Sequence, residues 1–267
     1  MMNNNFLFAL LLTMIAGLST GIGSAIAFFA RRTNTKLLSV ALGFSAGVMI
    51  YVSFIEILPQ AFLLSKNAAA GTSNVYVVLA FFVGIAIIFL IDALIPESEN
   101  PHEMHNVEEM YNSNSLNESR LKRTGILMAL AIAIHNFPEG IATFASAVVA
   151  PEIAIPITIA IAIHNIPEGI AVSVPIFYAT GNRSKAFWLS FLSGMAEPLG
   201  GVLGFIFIMK YMNEFGLAML MAAVAGIMVF ISVDELLPGS EKYGHHHYSI
   251  GGFVAGMAVM AASLLLL

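Results

Sequence analysis

Two imidazoles, two carboxamides and two carboxylates recur at one spacing along this chain. Residues 131–142 read AIAIHNFPEGIA and residues 160–171 read AIAIHNIPEGIA, so twelve positions repeat with a single change, Phe137 against Ile166. His135 stands four residues before Glu139 and Asn136 three, so a helix projects all three toward one side. Pro138 cannot donate to the Ile134 carbonyl and disfavours helical geometry at Phe137, while Gly140 lets a neighbouring backbone approach. The prediction is a locally opened turn carrying an imidazole, an amide and a carboxylate. His164, Asn165, Pro167, Glu168 and Gly169 repeat that turn on the next segment.

Imidazole and carboxylate without sulfur suit Zn, Fe(II), Mn and Co better than Cu(I), and the histidines disfavour Mg and Ca. A carboxylate at mid-membrane costs about 2.5–3.5 kcal/mol on insertion scales, and two facing each other repel. The plainest compensation is one divalent cation, or two bridged by the glutamates. Glu197, in the proline- and glycine-broken stretch AEPLGG at 196–201, offers a third carboxylate. A plainer reading makes both motifs proline kinks whose polar groups hydrogen-bond across an interface. Kinks alone, however, require neither a His nor a Glu. Glu197 taken alone could equally serve a backbone amide.

The elements that must position these groups are membrane helices. Of 267 residues, 58% are hydrophobic and only 10% charged, where soluble chains carry about 25% charge; the mean hydropathy is +0.87. Eight apolar runs lie near 6–30, 37–59, 75–95, 124–150, 153–179, 186–209, 216–238 and 249–267, each long enough to span. The runs lack the alternation of barrel strands, so the expected fold is an all-α membrane protein of eight transmembrane helices, a single polytopic domain over 1–267. The acidic, Asn- and Ser-rich loop 96–123 is expected to be disordered and cytoplasmic.

Arg31, Arg32, Lys36, Arg120, Lys122, Arg123, Arg183, Lys185 and Lys242 fall on one side of that topology and only Lys66 and Lys210 on the other. The bias places both termini outside. No positive charge precedes the first run, so it reads as a span and not as a cleaved leader. The net charge of −5 and the absence of cysteine argue against nucleic-acid binding, disulfides and thiolate chemistry. Gly17 and Gly21, Gly43 and Gly47, and Gly252 and Gly256 are spaced four apart, as close helix packing requires.

The two HN-x-PEG copies sit on consecutive, hence antiparallel, spans. A weaker repeat pairs AGVMIYVSFIEILP at 46–59 with AGIMVFISVDELLP at 225–238, again on oppositely directed spans. Together they predict inverted 3+2+3 symmetry, the mark of secondary transporters with a binding site at the repeat interface. Glu56, Asp234 and Glu235 in the weaker repeat are candidates for an ion pathway or for snorkelling to water. Asp92 reads as a solvated helix end. His102, Glu103 and His105 read as loop residues with an option of metal capture, and His245, His246 and His247 as a polar run in the last inside loop.

HNFPEG, HNIPEG and AEPLGG resemble the Zrt/Irt-like (ZIP) metal-ion transporters, most closely their bacterial ZupT branch, over essentially the whole chain. The resemblance implies import of divalent transition metals (zinc, iron, manganese, cobalt) across the cytoplasmic (inner) membrane as transported substrates, with no catalytic cofactor. It implies a binuclear site between spans four, five and six: His135, Glu139, His164 and Glu168 for one ion, and Asn136, Asn165 and Glu197 for the other, with Glu139 and Glu168 shared. It also implies elevator-like alternating access. The partners are the lipid bilayer, the metal ions and, as a further candidate, a second copy in a homodimer. Two alternatives remain at this level, an intramembrane metalloenzyme, which lacks the His-Glu-x-x-His of zinc proteases, and a metal-selective channel.

Overall fold

Long apolar runs in lipid must satisfy their backbone internally, and the computed structural model, which describes residues 2–29, 35–68, 73–94, 133–134, 136–207, 212–241 and 244–266, is helical in every regular element it describes. In order these are α1 (Met2–Phe29), α2 (Thr35–Val52), a π-helical turn (Ser53–Ile57), α3 (Leu58–Ala68) and α4 (Ser73–Leu94), then α5 (136–149). They continue with α6 (Pro151–Thr180), α7 (Arg183–Gly194), α8 (Ala196–Phe207), α9 (Glu214–Ile231), a second π turn (Ser232–Leu236), α10 (Leu237–Glu241) and α11 (His246–Leu266). Among the described residues seven helical stretches are long and apolar enough to cross a membrane. The fourth expected run, 124–150, is described only toward its end, as α5. The loop 96–123 lies outside the described residues, with His102, Glu103 and His105.

Local chemistry sets the breaks. Gly181, at φ 63°, ends α6 in the left-handed conformation, where glycine carries no Cβ penalty. Asn182 and Asn213 cap α7 and α9 by accepting the backbone N–H of Lys185 and Gly216. The sixth span breaks at Met195, which places Glu197 in the first turn of α8, the end at which the helix dipole favours negative charge.

The opened turn expected at Pro167 is absent, because α6 runs unbroken through Pro156, Pro167 and Pro175. Proline's own φ is helical and its cost is a missing bond to residue i−4, which neighbouring helices can make good inside a bundle. The widened turns fall elsewhere, just before Pro59 and Pro238.

Glycine sets the packing. A Cβ on Gly43, Gly47, Gly252 or Gly256 would strike a backbone carbonyl across the α2–α11 contact, and one on Gly84 or Gly226 would do so between α4 and α9. Gly17 meets the Gly194 carbonyl, Gly23 the Ile166 carbonyl and Gly140 the Glu197 carbonyl, so α1, α5, α6, α7 and α8 draw together around the repeated motif. A second group joins α2, α3, α4, α9 and α11. The two meet chiefly where α2 packs against α6, in an apolar core that includes Val48, Met49, Val52, Ala160 and Ile161.

Candidate functional site

The repeated motif folds inward. Asn136, Glu139, His164, Asn165, Glu168 and Glu197 are all at most 2% exposed, which for polar side chains in an apolar bundle demands partners. His164 Nε2 lies 3.3 Å from Glu139 Oε2, joining α6 to α5. Asn165 donates through Nδ2 to the Ala16 carbonyl on α1 at 3.0 Å, and the same nitrogen donates to Glu197 Oε1 on α8. Asn136 donates to the Ser193 carbonyl on α7 at 3.4 Å. Glu168 lies within electrostatic reach of Glu139 and Glu235, and Glu197 within reach of Glu139 and Glu168. Three carboxylates, an imidazole and the Asn165 amide therefore converge from α5, α6 and α8, with Asn136 buried beside α7.

Part of their bonding capacity is unused. Asn136 Oδ1, His164 Nδ1, Asn165 Oδ1 and Glu197 Oε2 are buried with no hydrogen-bond partner among the described residues. Each such group costs roughly 1–3 kcal/mol, and oxygen with imidazole nitrogen is the donor set for a divalent transition metal. Among the described residues no three His, Asp or Glu side chains yet stand in metal-holding geometry. The groups are joined pairwise, His164 to Glu139 and Asn165 to Glu197. His135 lies outside the described residues.

The second-tier residues divide. Glu56 is half-buried in the first π turn and accepts a 3.5 Å bond from Gln60 Nε2. Asp234 and Glu235 lie in the second π turn, Asp234 exposed and Glu235 half-buried, and only Glu235 reaches the central cluster, through Glu168. Asp92 is half-buried near the end of α4. The run His245, His246 and His247 is not a free loop, since α11 begins at His246, three residues before the expected span. The cause is local bonding: His246 Nδ1 pairs with Glu241 Oε1 at 2.8 Å and His245 Nε2 with Thr35 Oγ1 at 3.1 Å.

Three features escaped the sequence. The first span takes part in the site, because the Ala16 carbonyl receives Asn165. A buried hydroxyl chain, Ser24 Oγ to Ser190 Oγ at 2.6 Å and Ser190 Oγ to the Gly169 carbonyl at 3.1 Å, ties α1 and α7 to the residue after Glu168. Both π turns were also missed. Ser53 and Ser232, at matching positions of the weaker repeat, were the available signal for them.

Comparison with known proteins gives the same family from two directions. The family model described as "ZIP Zinc transporter" matches residues 93–264. Among curated relatives, "Zinc transporter ZupT" of Clostridium perfringens is 58% identical over 98% of this chain and 97% of that protein. The protein of that name in Lysinibacillus sphaericus is 57% identical over the full length of both. The one in Nitratidesulfovibrio vulgaris is 54% identical over 99% of this chain and 98% of its own.

Proposed function

Because the chain belongs to the ZIP zinc transporter family, and is therefore a membrane transporter and not an enzyme, we propose that it imports divalent transition-metal ions through a binuclear site between α5, α6 and α8, by alternating access. One observation carries the proposal: three carboxylates, an imidazole and the Asn165 amide are buried together inside an apolar bundle, with donor atoms to spare.

His135, Glu139, His164 and Glu168 hold one ion; Asn136, Asn165 and Glu197 hold the second, with Glu139 and Glu168 bridging. An arriving dication neutralises the mutual repulsion of Glu139, Glu168 and Glu197, the cost the empty cluster bears. It displaces any proton shared between His164 and Glu139, since ligating groups must be deprotonated. Asn165 keeps its bond to the Ala16 carbonyl and so holds Glu197 at a fixed bearing. A donor set of oxygen and imidazole does not distinguish sharply among zinc, iron, manganese and cobalt, which supports broad specificity. Glu56 lies on the approach from outside, and Asp234 with Glu235 on the exit to the cytoplasm.

Inverted 3+2+3 symmetry, both termini outside and residence in the cytoplasmic membrane complete the reading. The π turns, at matching places in spans two and seven, support the symmetry. The excess of Lys and Arg on one side supports the orientation. A membrane potential negative inside contributes about 4.6 kcal/mol per 100 mV to the entry of a dication, so import needs no nucleotide motif.

The test is uptake of zinc and manganese into metal-starved cells expressing the chain, its His135→Ala form or its Glu139→Ala form. Both variants, present in the membrane at wild-type level, should lose uptake. Unchanged uptake in both overturns the proposal.

A further inference from the structure

The transport mechanism leaves aside the run His245, His246 and His247, and the fold gives its three rings different surroundings. A tight turn carries the chain from α10 into α11. Gly244, in the left-handed region at φ 71°, donates its N–H to the Glu241 carbonyl at 2.9 Å, and the Ser240 and Ser249 hydroxyls bond to each other across the two helices. The turn therefore holds Glu241 against the first residue of α11. There Glu241 Oε1 meets His246 Nδ1 at 2.8 Å, with both side chains open to water.

A carboxylate accepts, so Nδ1 carries the hydrogen and the lone pair is left on Nε2. Metal-bound histidines are held in this way, one ring nitrogen donating to a carboxylate and the other facing the ion. The His247 ring lies 5.6 Å from that of His246, centre to centre. Two imidazoles on one tetrahedral ion, each bound at about 2.1 Å, have their centres about 5 Å apart. His247 is exposed, so a small turn of its ring closes the difference. His245 stands apart. It is half-buried, its Nε2 is bonded to Thr35 Oγ1 at 3.1 Å and its ring packs edge-on against Tyr248. The Lys36 ammonium stands 5.3 Å from the centre of that same Tyr248 ring, and a fixed cation so near disfavours a second one. The position of the dyad is also telling. Glu235 is within electrostatic reach of Glu168 in the central cluster, and Glu241 follows Glu235 along continuous helix, about 9 Å further on. The excess of Lys and Arg assigns that end to the cytoplasm.

We propose that His246 and His247, with Glu241 orienting His246 and water completing the coordination, form a separate metal site that takes zinc and similar transition dications as they leave for the cytoplasm. Its role in release rests on the transport reading above; its ligands do not. Imidazole favours such ions over calcium and magnesium. Half the ligands of a closed zinc site give about half its binding free energy, hence a Kd on the order of 10 µM. The positive end of the α11 dipole weakens the hold further. An ion held so loosely departs again, as a release site requires.

The test is zinc binding to the purified full-length chain, free of any histidine tag, followed by calorimetry. His246→Ala and His247→Ala should each abolish one weak step of binding, and His245→Ala should leave that step in place. Glu241→Ala should weaken it about tenfold, the loss usual when the carboxylate behind a ligating histidine is removed. A loose run of histidines would bind as well through His245 and would ignore Glu241. Equal losses at the three histidines, or an unchanged affinity in Glu241→Ala, therefore overturn the site. The weak step should persist in His164→Ala; its disappearance there would assign it to the central cluster and overturn the site equally. In liposomes, His246→Ala should lower the maximal rate of zinc uptake by about threefold with no rise in KM, since the site acts after the ion is bound and release sets many turnover rates. An unchanged rate overturns the release role. Wild-type uptake by His164→Ala would instead strike the transport reading, which the calorimetry does not touch.

Discussion

Gly140→Ala is the sharpest probe of whether the cluster works as a unit, because it alters no candidate ligand. Gly140 follows Glu139 directly, and a Cβ placed on it would stand 1.9 Å from the carbonyl oxygen of Glu197, where ordinary contact begins near 3.4 Å. The obstruction is backbone, which no rotamer relieves, so α5 and α8 must part by about 1.5 Å. Metal sites tolerate about 0.2 Å in ligand distance, and a 1 Å misplacement of reacting groups costs on the order of a hundredfold. Zinc uptake per folded molecule should therefore fall by about a hundredfold or more. Gly204→Ala on the same helix pair is the control. Its Cβ meets only Ile141 side-chain atoms, the nearest at 2.9 Å, and these can give, so most uptake should survive. The assay is initial uptake into starved cells, normalised to the monodisperse protein recovered from the same membranes. Wild-type uptake by Gly140→Ala, in folded protein, would show that Glu139 and Glu197 need not keep their spacing, and the shared site would fall with it.

Asn165→Ala removes two buried donations, one to the Ala16 carbonyl and one to Glu197. At about 1 kcal/mol for a neutral bond and about 1.5–3 for one to a charged group, stability should drop by roughly 2–4 kcal/mol; an unshifted thermal midpoint in detergent contradicts the assigned bonds. The orientation is checked by cysteine labelling, which the absence of native cysteine makes clean. Asn67→Cys should react with an impermeant thiol reagent in intact cells, and His246→Cys only after permeabilisation. The reverse pattern inverts the topology.

The eight runs were legible because lipid imposes a length and a composition on every span, and the HN-x-PEG motif because polar residues are so rare inside such runs that any recurrence stands out. What escaped was whatever depends on a second helix or on a departure from 3.6 residues per turn. Asn136 and Glu139 share a helical side by spacing, yet Asn136 turns to the Ser193 carbonyl near the end of α7, an acceptor that only tertiary packing brings within reach. Pro167 signalled a break that α6 does not make, while Pro59 and Pro238 mark turns that did widen. The rule that proline disturbs a helix holds at all three, but where the disturbance is absorbed is decided by packing. Glu235 looked like a span end; its reach to Glu168 crosses between the two groups of helices, and no local pattern records that.

The contacts also bear on symmetry more directly than the sequence repeats do. Asn136 on α5 bonds the Ser193 carbonyl on the sixth span, and its counterpart Asn165 on α6 bonds the Ala16 carbonyl on the first. Gly140 meets Glu197 as Gly169 meets Thr20, and Gly200 meets Phe137 as Gly23 meets Ile166. In the outer group Gly47 meets Phe253 as Gly226 meets Phe81, and Gly256 meets Phe44 as Gly84 meets Ala223. One set of pairings, spans one with six, two with seven, three with eight and four with five, accounts for every one of these contacts. This supports the inverted repeat as a property of packing as well as of sequence. The mirror fails where it touches the chemistry, because Glu197 on the sixth span is answered on the first by Thr20, whose buried hydroxyl has no partner among the described residues. A carboxylate on one arm and a hydroxyl on the other give the cluster a lean toward the sixth span. For the two-ion site proposed above, the ion bound through Glu197 is therefore expected on the side of the sixth span.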